Sequence, residues 1–156
     1  MSVASQLGDC YDAHAQALFG YLLNLTGNEA ETRDLLQELF RQVAARPQLL
    51  QGVQNPRRFL LRMAHNLAID QLRRRHTREQ TMTALALESS DRFVPSPDPD
   101  TAAFRRELAA ALDSLPAEQR AVVHLKLWEE LTFKGIAELL DIPLNTAASR
   151  YRYGLA

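Results

Sequence analysis

Apolar residues return at every third or fourth position along nearly the whole chain, and no stretch sustains two-residue alternation. That spacing predicts an all-α fold, because a helix brings positions three and four apart onto one face, whereas a half-buried strand would need period two. The breaks between the periodic stretches then set the architecture. A first helix is predicted from about Gln6 to Thr26, with Leu7, Tyr11, Ala15, Leu18, Phe19, Leu22 and Leu25 inward, and Gly27-Asn28 ends it. A second, from about Glu29 to Ala45, puts acids where the helix dipole is positive and turns Leu35, Leu36, Leu39, Phe40 and Val43 inward, leaving Gln37, Glu38 and Arg41 outside. "RPQLLQGVQNP" interrupts it. Asn55 followed by Pro56 is a cap and a first-turn proline, so a third helix starts there and runs to about Thr77 or beyond.

Between about Thr81 and Pro99 the pattern fades into "ESSDRFVPSPDPD", whose serine, proline and aspartate read as a linker. Four shorter helices follow, over about Asp100–Asp113, Pro116–Trp128, Phe133–Leu140 and Leu144 to the end, with Thr132 as a cap for the third. A chain of 156 residues suffices for two small helical domains joined by a flexible linker. The predicted bounds are 1–80 for the first, 81–99 for the linker and 100–156 for the second.

Several function classes have no support. No apolar run approaches the roughly 18 residues of a membrane span, and the amino terminus lacks the basic and apolar regions of a signal peptide, so a cytoplasmic protein is expected. Cys10 is the single cysteine; it excludes an internal disulfide and reads as a small buried or half-buried thiol. His14, His65, His76 and His124 are scattered and read as surface or partly buried side chains, and there is no glycine-rich phosphate loop or nucleophile elbow. No metal, cofactor or catalytic residue is therefore expected, and the chain does not read as an enzyme.

Charge is informative only when located. The net charge is −1, yet Arg57, Arg58, Arg62, Arg73, Arg74, Arg75 and Arg78 face only Asp70 and Glu79 within one stretch. A basic face concentrated on a neutral protein suits a placed polyanion contact, while the plainer reading is a solvated arginine-rich helix. At the other end, Phe133, Ile136, Ala137 and Leu140 make the inner face of a two-turn helix. Asp141-Ile142-Pro143 turns the chain, dropping Ile142 into the core. This is helix-turn-helix spacing, in which the second helix enters the major groove. On that helix Asn145, Ala148, Ser149, Arg152 and Tyr153 share a polar-to-small face, and Thr146 is placed to cap or touch phosphate. The same apolar stripe would also serve the last helix of an ordinary bundle.

At these residues the chain resembles a known family. "AETRDLLQELFRQV" followed by "PRRFLLRMAHNLAIDQLRRR" is similar to region 2 of bacterial sigma factors, and the segment from "LDSLPAEQRAVVHLKLWEEL" through "TFKGIAELLDIPLNTAASRYRYGLA" to region 4. The order and the linker match the extracytoplasmic-function group, which keeps only those two domains. The resemblance implies a transcription initiation factor that directs core RNA polymerase to promoters. Asp34, Leu35, Gln37, Glu38 and Phe40 match the motif that grips the clamp helices of the largest polymerase subunit. Arg62, Asn66, Ile69 and Arg73, with Arg74 beside them, match the region that opens and reads the −10 element, and the loop Pro47–Asn55 lies where the family holds a flipped base, with the amides of Gln48, Gln51, Gln54 and Asn55 on hand. Region 4 is implied to read the −35 element and to touch the flap of the second-largest subunit. An anti-sigma factor is the further implied partner. Asp70 is expected to pair with Arg73 or Arg74 one turn on.

The departures carry expectations too. Phe59 stands where tryptophan is common, Gly135 where glutamate would complete a capping box with Thr132, Asn145 where glycine is usual and Ala148 where a basic residue is frequent. The last helix stops at Ala156, short of the family's usual length, which suggests truncation and weaker −35 binding. The rival reading is a sigma-like interaction module that binds polymerase or a regulator without directing initiation.

Overall fold

Capping chemistry sets where the helices begin and end. The structure, a computed structural model, describes residues 3–81, 103, 107 and 110–155. Helix α1 spans Val3–Thr26 and α2 spans Glu29–Ala45. Between them Gly27 adopts φ +68°, a left-handed conformation that a side chain would disfavour. Asn28 then caps α2: its Oδ1 accepts from the Glu31 amide at 3.0 Å, with Glu29 and Glu31 in the first turn as their charge requires. The interhelical turn is tied by the Thr26 and Thr32 hydroxyls at 2.8 Å.

After a short 3-10 turn at Pro47–Leu50, α3 covers Pro56–Thr81, with Asn55 Oδ1 accepting from the Arg58 amide. The expected linker lies outside the described residues apart from Thr81, and the helix expected from about Asp100 is described only at 103, 107 and 110–113, all helical. Then come α4 (Ala117–Leu127), α5 (Phe133–Leu140) and α6 (Leu144–Leu155). Thr132 caps α5 by accepting from the Gly135 amide at 3.0 Å. Asp141 ends it in the left-handed region at φ 57°, one of the few non-glycine residues that tolerates it, and the Ile142 amide closes back on the Ala137 carbonyl. α6 lies close against α4 because Gly154 has no side chain; a Cβ there would sit 2.8 Å from Val123.

The all-helical reading holds for the described residues, and the two halves add something that sequence periodicity did not show. One continuous buried cluster runs from Leu18, Tyr21, Leu22 and Leu25 of α1, through Leu39 of α2 and Leu60, Leu61 and Ala64 of α3, to Val122 and Leu125 of α4, Ile136 of α5 and Ala147 of α6. α1 packs on α4 and α3 packs on α5. Small helical units have too little interior to cover all their apolar faces alone, so joining them removes further surface from water, at about 25 cal/mol per Å² of apolar area.

Two expectations are corrected at this level. The spacing assigns Tyr11 to the inner face of α1, but it is 48% exposed, its ring 4.9 Å from Phe40 of α2. His124, read as a surface or partly buried histidine, is 2% exposed and sits in the seam between the halves.

Candidate nucleic-acid interface

The α3 helix separates its arginines by position. Arg57, at the start, forms a bidentate pair with Glu129 at 2.6 and 2.9 Å, and Arg75 reaches Glu31 at 3.4 Å. Arg62, Arg73 and Arg74 are exposed and make no ion pair among the described residues. Asn66 is exposed beside them, with Ile69 half-buried beneath. An ionised guanidinium has five donors and no acceptor, so a row of them without carboxylate partners is prepared for phosphate. Asp70 does not neutralise the row: the predicted pairing with Arg73 or Arg74 is absent, and Asp70 points to solvent at the cleft edge. Water solvates an exposed carboxylate about as well as an exposed guanidinium does.

In the preceding loop Gln48, Gln51 and Gln54 are exposed, whereas Asn55 uses its carbonyl oxygen as the α3 cap. Three of the four amides predicted for a base edge therefore make no side-chain hydrogen bond among the described residues.

On α6, Ala147 is fully buried and pins the helix to the core, which turns Asn145 outward and leaves Thr146, Ala148 and Ser149 half-buried on its flanks. Arg152 is exposed, donating a long hydrogen bond to Ser149 Oγ at 3.4 Å, and Tyr153 is 70% exposed. Tyr151 supports the base of the pair with its ring edge-on to Phe133, which carries the Lys126 ammonium on its other side at 4.6 Å. The outcome is a convex helix with small residues at the front and a cation at the end, the shape a major groove accepts. Arg150, by contrast, points back toward α3. Together with His65, Asn66, Ile69, Asp70, Arg73, Glu118, Leu140 and Ile142 it lines a cleft of about 540 Å³ between the halves.

The α2 stripe is split. Asp34 and Gln37 are exposed and Glu38 half-exposed, but Leu35 is 8% exposed and belongs to the core. Glu38 accepts two hydrogen bonds from Arg41 and one from Gln42 at 3.0 Å, and these bonds hold its carboxyl below the usual carboxylate range. With Glu31 and Asp34 on the α2 bank and Asp70, Gln71 and Arg74 on the α3 bank, the stripe edges a groove between the two helices.

The seam supplies residues that sequence reasoning missed. Asn24 Nδ2 donates to His124 Nδ1 at 2.7 Å, and the Tyr21 hydroxyl bonds to His65 Nδ1 at 2.8 Å. The His124 ring stacks on Trp128 at 4.9 Å and meets the Tyr21 ring edge-on at 5.1 Å. Arg120 donates to the Asn24 backbone carbonyl at 3.2 Å. Burial, with Arg57 adding repulsion, drops the His124 imidazole to about 3; burial, then Arg150 and Arg73, drops His65 to about 4. Burial also raises the Tyr21 phenol. The available signal was a polar residue inside an apolar stripe on each side, Asn24 between Leu22 and Leu25 and His124 between Val123 and Leu125. Among the described residues no group of histidine, cysteine and carboxylate side chains is arranged to hold a metal, and no helix is long and apolar enough to cross a membrane.

Comparison with known proteins places this geometry. The family model Sigma-70 region 2 matches residues 10–78, and the model Sigma-70, region 4 matches residues 105–156. The ECF RNA polymerase sigma factor SigL of Mycobacterium tuberculosis is 33% identical over 147 residues, covering 93% of this chain and 82% of its own. SigX of Bacillus subtilis, also an ECF RNA polymerase sigma factor, is 29% identical over 150 residues, 93% of this chain and 77% of its own. In fold, the chain is similar to the sigma factor RpoE of Bartonella quintana, solved in complex with the anti-sigma factor NepR: the TM-score is 0.74 at 21% identity, over 90% of this chain and 86% of that one.

Proposed function

The chain belongs to the extracytoplasmic-function group of sigma-70 factors, and on that premise we propose how its two halves divide the work of starting transcription. It directs core RNA polymerase to promoters and helps open the −10 region. Residues 1–80 form the polymerase-binding and −10 domain, 81–99 the linker and 100–156 the −35 domain. Asp34, Gln37 and Glu38 present an acidic and amide stripe to the clamp helices of the largest subunit, with Leu35 seating the stripe from the core side. Charge pairs of this kind orient a partner more than they add affinity.

Arg62, Asn66, Arg73 and Arg74 track the parted strands. Single-stranded DNA is held by a cationic groove and by pockets for unstacked bases, and a flipped base costs a few kcal/mol that such a pocket must return. The loop amides of Gln48, Gln51 and Gln54 are placed for that base. Asn145, Thr146, Ala148, Ser149, Arg152 and Tyr153 meet the −35 duplex, while the rest of that domain contacts the flap of the second-largest subunit. The chain catalyses no step itself; polymerase does the chemistry, in the cytoplasm, and an anti-sigma factor is the regulator to look for.

One observation supports this reading above the others: Arg62, Arg73 and Arg74 of α3 have no carboxylate partner among the described residues, while Arg57, at the seam, is paired with Glu129. Purified protein with core polymerase, run on a promoter library, is expected to give defined start sites. Polymerase binding without transcripts would instead favour the interaction-module reading.

A further inference from the structure

The cleft bounded by α3, α4 and α6 holds cations and anions that do not neutralise each other. Arg73 of α3 and Arg150 of α6 line it, together with Asp70 of α3 and Glu118 of α4, yet neither arginine makes an ion pair among the described residues. Both guanidiniums bear on one imidazole. Burial, then Arg150 and Arg73, hold His65 down at about 4, so that ring is neutral.

His65 also supplies a directed donor. The fully buried Tyr21 has no hydrogen-bond acceptor but His65 Nδ1 among the described residues, so its hydroxyl donates there at 2.8 Å and the ring proton sits on Nε2. That N–H joins the two guanidiniums and the exposed Asn66 amide at one end of the cleft. Away from this end the cleft continues. A second cavity of about 320 Å³ shares Ile69, Arg73 and Glu118 with the first and adds Leu72 and Ala117, which extends the floor with apolar surface.

These groups select a ligand by chemistry. Phosphate oxygens only accept, which suits guanidiniums and a ring N–H. A carboxylate that accepts from hydroxyls is the usual partner of a ribose, and apolar side chains take the face of a nucleobase. Two positive and two negative side chains leave the cleft without net charge, so it suits a molecule carrying all three parts better than a bare polyanion. At about 540 Å³ the first cavity has the size of a small-molecule site.

We propose that this cleft binds a ribonucleoside phosphate, with the phosphates between Arg73 and Arg150, the ribose hydroxyls donating to Glu118 and the base over Ile69 and Leu72. Asp70, at the cleft edge, stays in water. A nucleotide held there covers Arg73 and Asn66 and competes with single-stranded DNA; this consequence, unlike the site, rests on the reading that those two residues hold the −10 strand.

Titration calorimetry of the full chain with ADP, 2′,3′-dideoxy-ADP and inorganic pyrophosphate tests the site. ADP is expected to bind one per chain and more tightly than either of the others. Arg150→Ala, outside the surfaces proposed for polymerase and DNA, should weaken ADP about tenfold, as loss of one charge-assisted hydrogen bond does, with the helix signal in circular dichroism retained. Glu118→Ala alters an exposed residue and should bring ADP down to the dideoxy analogue while leaving pyrophosphate unchanged. Absence of saturable ADP binding, or an unchanged ADP affinity in Arg150→Ala, would overturn the site. Pyrophosphate as tight as ADP, or dideoxy-ADP as tight as ADP in the unaltered chain, would overturn the nucleotide assignment. A labelled oligothymidylate strand should be displaced in proportion to ADP occupancy. If ADP binds as expected and the strand stays, the site stands and the strand-holding reading of Arg73 and Asn66 fails. If the strand binds and ADP does not, the cleft belongs to the DNA path alone and the proposal falls.

Discussion

Arg57 of the seam and the arginines of the outer α3 face come from one helix and have opposite surroundings. Arg57 is clamped by Glu129, whereas Arg62, Arg73 and Arg74, further along, are exposed without an ion pair among the described residues. Neighbouring elements make the difference: Arg57 meets Glu129 in the segment after α4, while Arg73 lies at the cleft it shares with Arg150 and meets no carboxylate partner among the described residues. A paired arginine in a packed junction acts in folding and docking. An unpaired one on a face without packing partners adds nothing to stability and keeps all its donors for a ligand.

That contrast can be tested on melting. The largest loss is expected from Ile136→Ala, where a fully buried side chain of α5 in the shared cluster is cut away, at about 2–5 kcal/mol by urea unfolding. If the two halves unfold together, as a common core requires, α1–α3 should lose cooperativity at the same midpoint; two separate transitions would break the comparison. Asn24→Ala should follow at about 1–3 kcal/mol, because it leaves the His124 acceptor buried without a donor. A double-mutant cycle with His124→Ala would sharpen this by showing coupling. Thr132→Ala removes one cap bond from α5 and should cost about 1 kcal/mol.

Arg73→Ala and Arg152→Ala lie at the other end. Each should leave stability within about 0.5 kcal/mol and act on DNA instead. Loss of Arg152 should weaken −35 binding by about 1–3 kcal/mol with some loss of sequence preference. Loss of Arg73 should impair opening and reduce the salt dependence of binding with the sequence preference intact. A drop in melting temperature for Arg73→Ala would place it with the seam arginines and erase the distinction.

Much of this was legible beforehand, for local reasons. Asn55 and Thr132 cap where they were predicted to, since a cap depends on a few neighbouring backbone amides. The inward faces of α2 and α5 follow from spacing alone, and so does the burial of Phe40, although Leu35 shows that a motif residue can lie in the core instead of on a contact surface. Tyr11 and Asp70 were less legible, because one depends on how much of its ring a neighbouring helix covers and the other on solvent competition.

The sequence by itself determined the helices, their caps, the helix-turn-helix spacing and the concentration of positive charge on α3, all of which depend on residues within a few positions of each other. Only the tertiary structure decided that Asn24 would receive His124, one hundred residues away, and that Arg57 rather than Arg73 would find a carboxylate. The reason is that helical periodicity states which face is apolar but not which other face will cover it. A lone polar residue in that face has no meaning until the covering surface brings its partner within about 3 Å.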